Sequence, residues 1–154
     1  MNLVELIEEI RNERDRWEAT LEKIQRSRLS EPGVEGDWSV KDIIAHLSWF
    51  EREMVNLMQT RRLAGSEWWT LPTDLRNENI YLKNRDLSLD QVVSESQQVH
   101  RQLIEALQTL SDVDLSDPGQ FADMPSDWQP LRIIAENTFE HYQDHRKVVE
   151  DWLG

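Results

Sequence analysis

The chain has 154 residues and a formal net charge of −13, from 30 acidic and 17 basic side chains, and it contains no cysteine. That length suits one domain able to bury about 70% of its unfolded surface, and the missing cysteine excludes disulfides, thiolate metal sites and cysteine nucleophiles. The acidity disfavours binding to nucleic-acid phosphates or anionic membranes. No apolar run nears the roughly 18–20 residues of a membrane span. The start Met1-Asn2-Leu3-Val4-Glu5 lacks the basic, then apolar pattern of a signal peptide, so a soluble cytoplasmic protein is expected.

Leu3, Ile7, Ile10, Arg14, Trp17, Leu21 and Ile24 recur at alternating steps of four and three, the seam of a helix expected over 2–28. Arg14 is the one charged slot. Its bland reading is a side chain snorkelling along its aliphatic stem; the functional one is an inward cation facing an anionic substrate group. Glu31-Pro32-Gly33-Val34-Glu35-Gly36 breaks the pattern, and Ser39 with Asp42 forms a capping box that restarts a helix over 39–64. That second helix carries Ile43, His46, Leu47, Phe50, Met54, Leu57 and Met58 inward. A lone histidine among apolar neighbours is more often a hydrogen-bonded core residue than a ligand.

Residues 65–87 are long for a helix connection, since most run 2–8 residues. A short helix is expected within them, from Thr73 to Asn84 through Leu75, Ile80 and Tyr81. Trp68 and Trp69 are expected to cap the core end; the alternatives are that they line a pocket or, with an exposed helix flank, supply a homodimer interface. Ser88 and Gln91 cap a third helix over 88–110, with His100 read as a surface or boundary residue. The acidic connector from Ser111 to Gln129 has no Gly at the sixth or Glu at the twelfth position of a calcium-binding loop.

Pro130 suits the first turn of a fourth helix over 130–153, whose inward stripe holds Thr138, His141 and His145. Histidines four apart lie on one face, one turn above the other, where a bundle builds its metal sites. With four histidines such a pair arises by chance in about 8 of 100 shufflings, so it gains weight only with a third ligand. Residue 142 is Tyr, where a His-Glu-x-x-His protease would carry its glutamate base. Histidine donors favour zinc, nickel or iron over calcium.

Asp37-Trp38 with Ile43-Ile44-Ala45 recurs as Asp127-Trp128 with Ile133-Ile134-Ala135, either a duplication relic or a shared way of packing a helix entry; it serves as a register, not as a true repeat. The shared register tests the metal idea. Parallel second and fourth helices would leave His46 roughly 7–13 Å along the axis from the pair, too far for one ion. Antiparallel helices would bring His46 level with His145. An up-down-down-up bundle makes these helices antiparallel and needs one long crossover between helices two and three, where the chain has its longest connection. The expectation is all-α, a four-helix bundle with that connectivity.

Trp38-Ser39-Val40-Lys41-Asp42-Ile43-Ile44-Ala45-His46-Leu47, joined to His141-x-x-x-His145, resembles the DinB-like (YfiT-like) metal-binding four-helix bundles. The resemblance spans essentially the whole chain. It implies up-down-down-up connectivity, frequent dimers, and a divalent ion, commonly zinc or nickel, held by His46, His141 and His145. Members with an assigned activity include S-transferases and isomerases that use a low-molecular-weight thiol, bacillithiol, mycothiol or glutathione. No cationic cluster here marks such a thiol's site. Three histidines leave a coordination position open, the pattern of catalytic rather than structural zinc. The expected function is therefore a metal-dependent enzyme acting on a reactive small molecule, in the manner of a thiol S-transferase. The alternatives are a non-catalytic small-molecule or metal binder serving self-protection, a regulatory dimer tied by its metal, and a hydrolase in which the metal activates water. Asn137, Arg14 and Tyr81 are the candidate substrate contacts, and Asn137 or Asp144 the candidates for orienting a ligand or a histidine ring.

Overall fold

The structure is a computed structural model describing residues 1–154. Seven helices form: α1 (Leu3–Glu22), α2 (Val40–Thr60), α3 (Thr73–Asn84), α4 (Leu89–Leu107), α5 (Asp112–Ser116), α6 (Pro130–Glu136) and α7 (Phe139–Leu153). The capping boxes read from sequence are present at Ser39/Asp42 and Ser88/Gln91, and a third at Asn2/Glu5 starts α1. In each, the cap side chain accepts from the N3 amide and the N3 side chain accepts from the cap amide, satisfying two otherwise free donors.

Two apolar clusters set the chain directions. In one, Leu6 and Ile10 pack with Met54, Leu57 and Met58 from the end of α2, Leu103 and Leu107 from the end of α4, and Ile134 from α6. In the other, Trp17 and Ile24 pack with Val40, Ile43 and Leu47 from the start of α2, Val92 from the start of α4, and Val149 from late α7. α1 and the α6–α7 arm therefore run one way, and α2 and α4 the other. This is the up-down-down-up bundle, with α2 antiparallel to α7. The crossover from α2 to α4 contains α3, with the bounds expected of it. Trp68 and Trp69 pack on Trp49, Phe50 and Ile80 as a third small cluster, covering the flank of α2 as expected.

Besides α4, which ends at Leu107 and not at residue 110, three features differ from the sequence reading. α1 ends at Glu22 and a 3₁₀ turn follows at Arg26–Arg28, although Ile24 stays in the core; apolar periodicity reports burial, which outlasts the helical hydrogen bonds. α2 ends at Thr60 on Arg61, a left-handed cap with φ 53°. Arg61 is held there by Asp114 Oδ1 at 2.6 Å and the Thr109 carbonyl at 3.3 Å, while the Ala122 N–H donates to the Arg61 carbonyl and the Leu63 N–H to the Ala122 carbonyl, each at 2.8 Å.

The third difference is the break of the fourth helix at Asn137-Thr138. The Asn137 amide donates to the Ile133 carbonyl at 2.8 Å and the Thr138 hydroxyl to the Ile134 carbonyl at 2.6 Å. Both side chains compete with the backbone for carbonyls four residues back, which bends or interrupts helices. The polar pair sits at the joint, and α7 restarts two residues before His141.

Candidate metal centre

His46 lies on the second turn of α2 and is 4% exposed; His141 and His145 lie one turn apart on α7. Antiparallel packing brings the three together. His141 Nε2 stands 3.0 Å from His46 Nε2 and 3.1 Å from His145 Nε2, and one donor nitrogen from each residue falls within 4.8 Å of the other two. Phe50 stacks edge-on against His141 at 4.6 Å, and Trp38 leans on His46 at 5.0 Å between centroids. The rings open into a cavity of about 460 Å³ bounded also by Glu35, Arg76 and Asn77.

One ring is oriented by the chain. Glu35 Oε2 lies 2.7 Å from His145 Nδ1, so that nitrogen donates and the Nε2 lone pair is left facing the other rings. The turn before α2 places Glu35 there: Gly36 adopts φ 58°, a left-handed conformation that glycine accepts at little cost, and Glu35 and Trp38 exchange backbone bonds across it at 3.3 and 3.0 Å. Nothing at sequence level singled out Glu35; the Pro-Gly-x-Glu-Gly turn hides its reach to a residue 110 positions later. Asp144, the sequence candidate for this role, is exposed on α7.

Burial, reinforced by the neighbouring rings, pushes the pKa of His46 far down and that of His141 to about 3. Buried imidazoles of this kind are neutral, the only form that coordinates a metal. The Nδ1 atoms of His46 and His141 are buried without a partner, so the chain orients the His145 ring alone. The donor set nonetheless fits a divalent transition metal. Nitrogens about 2.0–2.1 Å from one ion sit ~3.0 Å apart in octahedral and ~3.3 Å apart in tetrahedral geometry, which brackets the close contacts seen. Neutral imidazoles turning lone pairs toward one point repel unless a cation or proton sits between them.

The other sequence candidates fall elsewhere. Arg14 is buried on α1, bonding Glu18 at 2.8 Å and the Tyr142 hydroxyl at 3.2 Å. Burial opposes its charge, but Tyr142, Glu51 and Glu18 outweigh this and its pKa is raised. Arg14 neither snorkels nor reaches the histidine cavity. It belongs to a buried network in which Tyr142 donates to Glu51 Oε1 and His100 Nδ1 stands 3.9 Å from Glu51 Oε2. His100 is thus a boundary residue of that network. Tyr81 stacks on Trp38, 6.3 Å between centroids, one ring behind the cavity wall. Asn137 lines a different cavity. The polar groups of α3 that line the histidine cavity are Thr73, Arg76 and Asn77. Arg76 is already bonded to the Trp68, Trp69 and Leu71 carbonyls at 3.0–3.1 Å, whereas Asn77 Oδ1 is buried with no partner.

A profile of the DinB superfamily matches residues 9–149. The chain belongs to the DinB superfamily. Solved structures share its fold at low identity. The structure described as the sibling lethal factor precursor DfsB is 20% identical with a TM-score of 0.82, over 99% of this chain and 95% of that one. The colibactin self-resistance protein ClbS, in complex with a dsDNA, is 17% identical with a TM-score of 0.82, again over 99% and 95%. An uncharacterized protein from Clostridium difficile 630 is 17% identical with a TM-score of 0.84, over 99% and 96%. No curated protein matches the chain significantly. No helix is long and apolar enough to cross a membrane.

Proposed function

We propose that this DinB superfamily protein is a divalent-metal-dependent enzyme acting on a reactive small molecule, with His46, His141 and His145 as the metal ligands and thiol transfer as the reaction. The observation that carries the reading is the convergence of three imidazoles, His46, His141 and His145, at one end of a cavity. A zinc- or nickel-class ion held there would supply Lewis acidity toward a bound thiol or water. Glu35 keeps the proton on His145 Nδ1, Trp38 and Phe50 cover the apolar side of the rings, and Asn77 Oδ1 offers an unused acceptor to a substrate N–H or O–H. The cavity of about 460 Å³ suits a small molecule.

A self-protective role finds support in the fold neighbour ClbS, a self-resistance protein. That neighbour's dsDNA complex raises nucleic acid as a partner; the charge of −13 on this chain supports the small-molecule reading instead. The test is turnover of a thiol-plus-electrophile panel by metal-loaded protein. Conjugation that disappears on chelation and in His141→Ala supports the proposal. Metal-dependent loss of the electrophile without thiol consumption would move the reaction to hydrolysis. A ligand-induced thermal shift without turnover would move it to sequestration, and salt-sensitive DNA binding at physiological ionic strength would contradict the partner assignment.

A further inference from the structure

The recurring Asp-Trp helix entries lie at two different cavities. The first copy places Trp38 and His46 at the histidine cavity; the second places Asp127, Trp128 and Ile133 on a separate one of about 900 Å³. The larger cavity lies farther along α2, between its second half, the crossover from Leu63 to Thr70, and α6. Met54, Leu57, Trp69 and Ile133 give it an apolar floor, and Trp128, 44% exposed, stands at its edge.

Its charge is one-sided. Glu53, Glu67, Asp127 and Glu136 line it against Arg132 alone, and that guanidinium is already forked onto Glu140 at 2.9 and 3.0 Å and reaches Glu136 at 3.4 Å, which leaves Glu53, Glu67 and Asp127 without a cation. Glu53 is fixed in place on the apolar floor: its Oε1 accepts from the Ser66 amide and from Trp69 Nε1, each at 2.6 Å. Gly65 leaves room for it, since a Cβ there would stand 2.6 Å from that oxygen. Oε2 of Glu53 takes no hydrogen bond from the chain and forms no ion pair. A carboxylate oriented by two N–H donors, with one oxygen free beside an apolar floor, is the arrangement that recognises an ammonium group on an apolar body.

We infer that this cavity is a second ligand site, distinct from the metal centre, for a small amphipathic organic cation. Its ammonium group meets Glu53 Oε2 and its aromatic or aliphatic body lies between Trp69, Trp128 and Ile133. Anions of the same shape are rejected by the unpaired carboxylates of Glu53, Glu67 and Asp127.

The test uses three isosteric probes, 3-phenylpropylamine, 3-phenylpropanol and 3-phenylpropionate, titrated calorimetrically into the full chain after chelation. Chelation removes the trivial route of amine coordination to a metal. The amine should bind saturably, at least about tenfold more tightly than the alcohol, and the propionate should not bind. Glu53→Gln retains an acceptor for the Ser66 and Trp69 donors, and should weaken the amine about tenfold while leaving the alcohol unchanged. Trp128→Ala, an exposed position, should weaken amine and alcohol alike. His141→Ala should alter neither. Equal affinity for the three probes, no saturable amine binding, or loss of binding in His141→Ala in place of Glu53→Gln would overturn the inference.

Discussion

Glu51 should make the bundle lose stability as pH rises, the reverse of the usual carboxylate. It is 1% exposed and faces Tyr142, Arg14 and His100, with Arg52 adding a weaker attraction. Burial raises its pKa from 4.5 to about 7, against the pull of Arg14 and Tyr142. The folded state therefore holds a proton that the unfolded state has released between these values. The stabilisation is complete below about pH 4.5 and is lost as pH rises through about 7. The gap corresponds to ~3 kcal/mol. Glu51→Gln removes the titration while keeping an acceptor for the Tyr142 hydroxyl. Urea unfolding of chelated wild type and variant, followed across this range and repeated in a His100→Gln background, isolates the effect because titrating groups away from Glu51 cancel. The variant should gain ~3 kcal/mol on wild type from the acid to the neutral end. Parallel profiles would refute the reasoning and place Glu51 as a fully compensated carboxylate.

Glu35→Gln should weaken metal binding by about 10- to 100-fold without altering stoichiometry, since it loosens one ring and removes no ligand; competition against a metal indicator reads this directly. Leu103→Ala, at a residue with 0% exposure, should destabilise the bundle by roughly 2–5 kcal/mol in denaturant titrations while metal stoichiometry persists at low temperature. Asn137→Ala should leave metal affinity unchanged in the same indicator assay, because that amide is engaged by the Ile133 carbonyl at 2.8 Å and lines the other cavity.

Much of the frame was legible from residue types alone. Seams at steps of three and four, two Ser-initiated capping boxes and one long crossover fixed the helices, α3 included, and their directions. The three histidines were legible because the long crossover fits a connectivity with antiparallel α2 and α7, which brings His46 level with His145, and the two readings support each other. What escaped depends on side chains choosing among partners of equal sequence plausibility. Arg14 looks the same whether it snorkels, meets a substrate or, as here, bonds Tyr142 in the core. Glu35 sits in a glycine turn whose direction appears only when φ at Gly36 is known. Asn137 and Thr138 fit a helical stripe by spacing, yet their polar ends reach back to carbonyls and interrupt it.

The most direct test of the metal centre is metal stoichiometry by elemental analysis, on protein reloaded with zinc or nickel and then desalted. Wild type and His100→Ala should each hold one ion per chain, and His46→Ala, His141→Ala and His145→Ala should each lose most of it while remaining helical by circular dichroism. Full occupancy in folded His141→Ala, or loss of the ion in His100→Ala, would contradict the three-histidine assignment.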